Sequence, residues 1–239
     1  MPKYFSTGYV MFKDLEKELW EYIIKSLERL AKFYEIGNNL VSFFTIDTLR
    51  RITLRYAPKL GKVLEIGPGP GNLTRKLLKN FDLVICLEPS PILATYLLSQ
   101  YGDAEKLSVL LGVAEKIPIK ANSLDVIFCS FSFRDFFDKR EFLREAYRCL
   151  KKNGCLIIVD AHGGSGLVKK VFTTYVRILG EIMSRILRSK KNLLLGLSDS
   201  MLRMRNPTYY LSLGLRTGFK RGILRNFLWG TAFILMLKK

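Results

Sequence analysis

Apolar residues recur at helical spacing over residues 13–33 (Leu15, Leu19, Trp20, Ile23, Ile24, Leu27 and Leu30), with charges on the other face. That pattern predicts an amphipathic helix. A second helical stretch over 47–56 leads through Pro58 and Gly61 into a series of short apolar runs at 62–66, 83–87, 107–111, 124–129 and 155–159. Read as strands with helices between them, these runs predict a doubly wound parallel sheet. After Val159 the alternation changes. Residues 165–189 form a long basic amphipathic segment with Leu167, Val171, Ile178, Ile182 and Ile186 among its apolar positions. Asn206-Pro207 then reads as a helix cap followed by proline at the first helical position, and that helix ends near Gly218. Two last strands, 222–226 and 231–237, flank a Leu-Trp-Gly turn and predict a hairpin at one sheet edge. The expected architecture is therefore one α/β, Rossmann-like domain over 59–239 with a mostly parallel seven-stranded sheet and a C-terminal antiparallel hairpin. A helical segment or lid over 1–58 precedes it, and a basic helical insertion at about 165–205 interrupts it.

The first strand runs into VLEIGPGPGNLT, residues 63–74, in which Gly67, Gly69 and Gly71 alternate before a helical pattern begins. Such a turn brings a ligand close to backbone and aims the free N–H groups of a helix start at it. The spacing argues against NAD or FAD, because a dinucleotide loop needs G-x-G-x-x-G and Asn72 stands where its third glycine belongs. It also argues against a nucleoside triphosphate, since no Gly-Lys-Ser or Gly-Lys-Thr closes the loop. What remains, E-x-G-x-G-x-G, resembles the cofactor loop of class I S-adenosylmethionine (SAM) methyltransferases. Ligands in doubly wound sheets bind beyond the carboxyl ends of the strands, and further candidate segments stand there. Glu88, in LEPS after the second strand, is a carboxylate placed to accept from ribose hydroxyls. Gly112 to Pro118 (GVAEKIP) follow the third strand, and Ser130 to Asp135 (SFSFRD) the fourth.

Composition narrows the setting. With 239 residues, 49% of them hydrophobic, the protein has enough apolar material for a single core. The most apolar run, 227–237, is too short to span a bilayer and is interrupted by Gly230 and Thr231. Acidic residues enter the N-terminal stretch before an apolar core region forms, so the expectation is a cytoplasmic protein without a secretory signal. Cys86, Cys129, Cys149 and Cys155 form no C-x-x-C pair and share the sequence with one histidine, which argues against zinc and for buried thiols. A Cys149–Cys155 approach stays open. Gln100 is the sole glutamine beside abundant Lys, Arg and Glu, a composition that hints at a thermophilic source. The net charge is +18, and from Ala161 onward fifteen Lys or Arg face only Glu181 and Asp199. The last third either meets an anionic partner (membrane surface, nucleic acid or charged substrate) or is a solvated basic face.

The order of segments VLEIGPGPGNLT, LEPS, VAEKIPIKANSLDVIF, CSFSFRDFFD and LREAYRCLKKNGCLIIVD resembles the menaquinone and ubiquinone biosynthesis C-methyltransferases, with FYEIGNNLVSFFTIDTLRR similar to their lead-in and the final hairpin similar to theirs. The resemblance implies SAM as cofactor, with Gly67, Gly69, Gly71 and Thr74 in its loop and Glu65 organising its amino-acid end. It places Glu88 at the ribose, Ala114 and Glu115 beside the adenine, and Ser130 near the methionine portion. It implies no metal. Arg134 would stabilise a developing phenolate or orient a water, or be a surface arginine. His162 would be a general base, or a satisfied structural histidine, and Tyr34 would cap the substrate pocket or pack. The sequence departs from the family at Val113, at Asp135 in place of Asn, and at Asp160-Ala161-His162. The implied acceptor is an isoprenoid quinone precursor or related lipid-soluble aromatic, which gives Lys169, Lys170, Arg188, Lys190 and Lys191 a purpose at the anionic inner face of a membrane. Another small molecule or RNA is the alternative acceptor, although no N/D-P-P-Y/F motif follows the fourth strand. A binding protein that kept the fold and lost catalysis is the third reading.

Overall fold

The computed structural model describes Glu21 and residues 45–58, 60–186 and 195–239. Apart from Glu21, which is helical, the predicted helix over 13–33 lies outside the described residues, as do Tyr34 and the basic residues Arg188, Lys190 and Lys191.

Seven strands form one sheet: β1 (Lys62–Ile66), β2 (Leu83–Glu88), β3 (Leu107–Leu111), β4 (Leu124–Ser130), β5 (Leu150–Ala161), β6 (Arg221–Phe227) and β7 (Ala232–Lys238), in the spatial order β3-β2-β1-β4-β5-β7-β6. The first five pair in parallel, while β7 is antiparallel to β5 and to β6. β1 to β4 reproduce the apolar runs to within a residue. Both faces of the central strands are covered, which is why those runs are continuously hydrophobic rather than alternating. One buried layer holds Leu64, Ile66, Ile127 and Phe133, and the other holds Val63, Leu73, Val126 and Phe128.

The strand order reverses between β1 and β4, so the crevice of the sheet opens at their carboxyl ends. The helices are α1 (Ile46–Leu54), α2 (Thr74–Leu77), α3 (Pro91–Tyr101), α4 (Lys139–Cys149), α5 (Gly166–Ile186), α6 (Leu195–Arg203) and α7 (Pro207–Thr217). Their starts follow from local chemistry. Ser90 caps α3 by accepting from Leu93 N–H at 3.2 Å ahead of Pro91, Asp138 caps α4 through Arg140 and Glu141 N–H, and Asn206 caps α7 ahead of Pro207. Phe142, Leu143, Ala146 and Cys149 recur at helical spacing and form the buried face of α4.

Two elements differ from the sequence expectation. β5 starts at Leu150, five residues early, because Leu150 pairs with Leu124 before a register shift brings Cys155 opposite Val126. The turn-like Asn153, at φ 66°, sits inside that irregularity. The basic segment is resolved into α5 and α6, packed together through Val176, Met183 and Met201 beside Ala161. The buried positions of α5 are Thr173, Val176, Gly180, Met183 and Ser184, while Leu167, Val171, Ile178, Ile182 and Ile186 face outward. All four cysteines are free and buried, and burial raises the Cys149 and Cys155 thiols to about 11.

Candidate active site

The glycine loop is built around close approach. Gly67, Gly69 and Gly71 all have positive φ (65°, 54° and 88°), and a Cβ on Gly67 would stand 2.7 Å from Ser132 Cβ. Ser132 is itself tied to the end of β1, donating to the Ile66 carbonyl at 2.8 Å. Gly71 serves packing: its α-carbon faces Leu97 and Tyr101 of α3, which a Cβ would meet at 2.5 and 2.6 Å.

A cleft open to solvent lies over this loop. Among the proposed cofactor residues, Gly67, Gly69, Glu88, Ala114 and Glu115 line it. Glu88, at the end of β2, accepts from Gly69 N–H through Oε2 at 3.2 Å and from Ser90 N–H through Oε1 at 3.1 Å. The ribose candidate is thus held against the glycine loop by the backbone of both segments. Glu115 turns one oxygen to the Phe137 and Asp138 N–H groups, at 2.7 and 3.1 Å, and burial raises its pKa despite those bonds.

Glu65, Thr74, Gly71 and Ser130 stand behind the wall and are absent from the lining. Thr74 donates to Glu65 Oε2 at 2.6 Å, and both side chains are buried. Burial raises the Glu65 carboxyl to about 7, with the Thr74 hydrogen bond opposing the shift. Ser130 accepts from Arg50 Nε at 3.3 Å. Arg50, a buried arginine of α1 that carries no signal in the sequence, also lies 5.6 Å from the Phe131 ring centre.

The two catalytic candidates take positions that the sequence does not foretell. Arg134 is buried in a single 3-10 turn, Phe133–Asp135, with Nη1 at 2.5 Å from Asp160 Oδ1, and is no surface arginine. Asp160 also accepts from the N–H groups of Arg134 and Ala161. His162 is buried with its ring 5.9 Å from that of Phe233, and burial, then Lys169, lowers its pKa. Neither side chain is part of the cleft lining.

Asp135 does line the cleft, although in the sequence it stands out only as a departure from the family pattern. Its Oδ1 is buried and has no hydrogen-bond partner among the described residues. Burial raises its pKa; Arg134 opposes the shift, Asp160 adds to it, and a hydrogen bond with Ser200 of α6 opposes it. The turn beneath it is anchored by Phe133, whose ring contacts those of Phe136, Phe142 and Tyr210 at centroid distances of 5.7, 6.0 and 5.0 Å. Phe131, Phe136 and Phe137 complete an aromatic wall. Phe131 adopts φ 60°, a left-handed conformation uncommon for a non-glycine residue. Among the described residues no group of His, Cys, Asp and Glu is arranged to hold a metal ion.

Comparison with known proteins finds relatives of this fold. Residues 64–158 match the family model described as a methyltransferase domain. In structure the protein is similar to a putative S-adenosyl-L-methionine-dependent methyltransferase from Methanococcus maripaludis, with a TM-score of 0.61 at 22% identity, covering 89% of this sequence and 93% of that one. The fold and the matching domain define the class: this is a SAM-dependent methyltransferase of the class I fold. Within that class its sequence is similar to the demethylmenaquinone methyltransferase of Thermotoga maritima, 25% identical over 84% of this sequence and 89% of the relative. It is also similar to a ubiquinone/menaquinone biosynthesis C-methyltransferase of Hahella chejuensis, 27% identical over 70% of each.

Proposed function

We propose that this enzyme methylates a ring carbon of an isoprenoid quinone precursor or a related lipid-soluble aromatic, with the cofactor held over the glycine loop. The observation that carries the cofactor site is the Glu88–Gly69 link, which sets a carboxylate at the lip of a loop that admits no side chain at Gly67. Glu88 receives the ribose, Val113, Ala114 and Glu115 border the adenine, and Glu65 and Thr74 brace the loop from behind. SAM bound there supplies a methyl group already activated on a sulfonium, so the protein's task is alignment and exclusion of water. Phe131, Phe136 and Phe137 keep water from the acceptor side. Asp135 takes the proton of the acceptor's hydroxyl through its free Oδ1, leaving a ring that is a better carbon nucleophile; once methylated, that carbon sheds its ring proton to water and Asp135 returns the hydroxyl proton as aromaticity is restored. Arg134 and His162 are positioning residues: Arg134, clamped by Asp160, fixes the turn that presents Asp135.

The similarity to quinone C-methyltransferases and the apolar, aromatic wall support the acceptor class. An acceptor of that kind resides in the bilayer, so the enzyme works at an anionic membrane face. RNA is the competing anionic partner. The test is incubation with SAM carrying a deuterated methyl group and demethylmenaquinol, with the product read by mass spectrometry. Appearance of the label on a ring carbon supports the reading. Label on RNA alone, or on an oxygen or nitrogen, overturns it.

A further inference from the structure

The outer face of α5 is apolar without covering protein among the described residues. Leu167, Val168, Val171, Ile178, Ile182 and Ile186 are between 43% and 75% exposed. At 100° per residue they fall on one arc of the helix, and at 1.5 Å per residue they run about 28 Å along it. A stripe of this length is not the scattered exposure usual on a soluble surface. Lys170, Arg177 and Glu181 border it and Arg185 stands within it, with Arg177 paired to Asp199 and Arg185 to Glu181. Over residues 165–205 the sequence has nine Lys or Arg against two acidic residues, Glu181 and Asp199, so the segment that carries the stripe is basic.

A second observation at the head of the same helix points the same way. Leu228, Trp229 and Gly230, joining β6 to β7, have φ of 52°, 54° and 86°. Three consecutive left-handed residues, two of them non-glycine, form a strained turn. It packs Leu228 inward, against the cluster that contains Phe131 of the cleft wall, and leaves Trp229 92% exposed. The turn abuts the start of α5: the N–H groups of His162 and Gly163 donate to the Thr231 carbonyl at 2.9 and 3.1 Å, and Gly164 lies between Val168 and Thr231. Because Ala232 pairs with Ala161 at the carboxyl end of β5, the turn also belongs to the sheet edge where the cleft opens.

We propose that Trp229 and the apolar stripe of α5 form one lipid-docking surface, which seats the cleft edge of the enzyme on an anionic bilayer. The chemistry is that of an interfacial amphipathic helix. Aliphatic side chains enter the acyl boundary, lysine and arginine meet the lipid phosphates, and an indole lies at the headgroup level. The basic margin favours a lipid surface over a second copy of this protein, which would bring like charges together. A nucleic acid accounts for the charge but gives the aliphatic side chains nothing to enter.

The surface is independent of the acceptor's identity. A protein that docks on vesicles yet leaves demethylmenaquinol unmethylated keeps this surface and loses the reading of the substrate.

The test uses the full-length protein with Trp20→Phe, which leaves Trp229 as its sole tryptophan. Addition of phosphatidylcholine vesicles containing phosphatidylglycerol shifts its emission to the blue, and brominated acyl chains quench it; pure phosphatidylcholine gives a much weaker response. In vesicle sedimentation the pair Ile178→Asp and Ile182→Asp, at exposed positions, weakens binding at least tenfold while circular dichroism and SAM affinity stay those of the parent. Lys170→Glu weakens binding less and flattens its dependence on salt. Unchanged Trp229 emission on addition of anionic vesicles overturns the proposal, as does full binding by the aspartate pair. A dimer in lipid-free solution that the aspartate pair converts to monomer overturns it too, as does retention of RNA without vesicle binding.

Discussion

Arg134 Nη1 lies 2.5 Å from Asp160 Oδ1, and both side chains are at least 95% removed from solvent. This pair fixes the turn between β4 and α4. Removing one partner from a buried ion pair leaves an uncompensated charge, at a cost of about 3–5 kcal/mol. Arg134→Met is therefore expected to lose stability of that order in urea unfolding. Adding Asp160→Asn recovers part of the loss, because Asp160 is then no longer a buried carboxylate without its guanidinium, and the amide still accepts a backbone N–H.

Gly71→Ala and Gly69→Ala separate packing from binding. At Gly71 the new Cβ meets Leu97 and Tyr101 at 2.5 and 2.6 Å under a φ of 88°, so a stability loss of roughly 1–3 kcal/mol is expected in thermal unfolding. At Gly69 a Cβ meets no atom within 4 Å, so beyond the roughly 1 kcal/mol of a left-handed alanine the change puts a methyl group on the cleft wall. SAM affinity, read by titration, falls more than stability does.

Glu65 makes stability depend on pH. Its carboxyl is raised from 4.5 to about 7, so the folded protein holds this proton more tightly than the unfolded protein does. The resulting stabilisation is complete below the unfolded value of 4.5 and is lost as pH rises through about 7. The loss is on the order of 3 kcal/mol. In the absence of ligand, unfolding free energies measured from about pH 4 to about pH 8 should show the parent falling relative to Glu65→Gln, with a plateau at the alkaline end.

Asp135→Asn keeps the side-chain shape and removes the proton acceptor. Turnover with demethylmenaquinol should drop by about 10²-fold or more while KM changes little, the usual scale of general-base loss. Equal turnover in parent and variant would assign the proton to another group.

Much of this architecture is legible in the sequence. The runs that form β1 to β4 are continuous and apolar because both of their faces are buried, and Asn206-Pro207 with Gly218 marks α7 by backbone chemistry alone. The cleft residues Gly67, Glu88 and Glu115 follow strands, where a doubly wound sheet puts ligands. What stays hidden depends on long-range partners. Arg134 reads as a catalytic candidate or a surface arginine, and its buried pairing is visible only once Asp160, 26 residues later, is folded against it. Arg50 meets Ser130 across 80 residues. The periodicity of α5 marks an apolar face, but the helix buries its smaller side chains, Thr173, Gly180 and Ser184, because α6 packs closely there. Leu150 stands five residues ahead of the apolar run at 155–159, and only the partner strand shows that pairing begins there.

The most direct test of the cofactor site is isothermal titration of the parent protein and Glu88→Ala with SAM, S-adenosylhomocysteine and NADH. The parent is expected to bind the first two and not NADH, and Glu88→Ala to weaken both by roughly tenfold to a hundredfold, the scale of hydrogen bonds to a charged group. Equal affinity in parent and variant would contradict the placement of the ribose at Glu88, and tight binding of NADH would contradict the cofactor assignment itself.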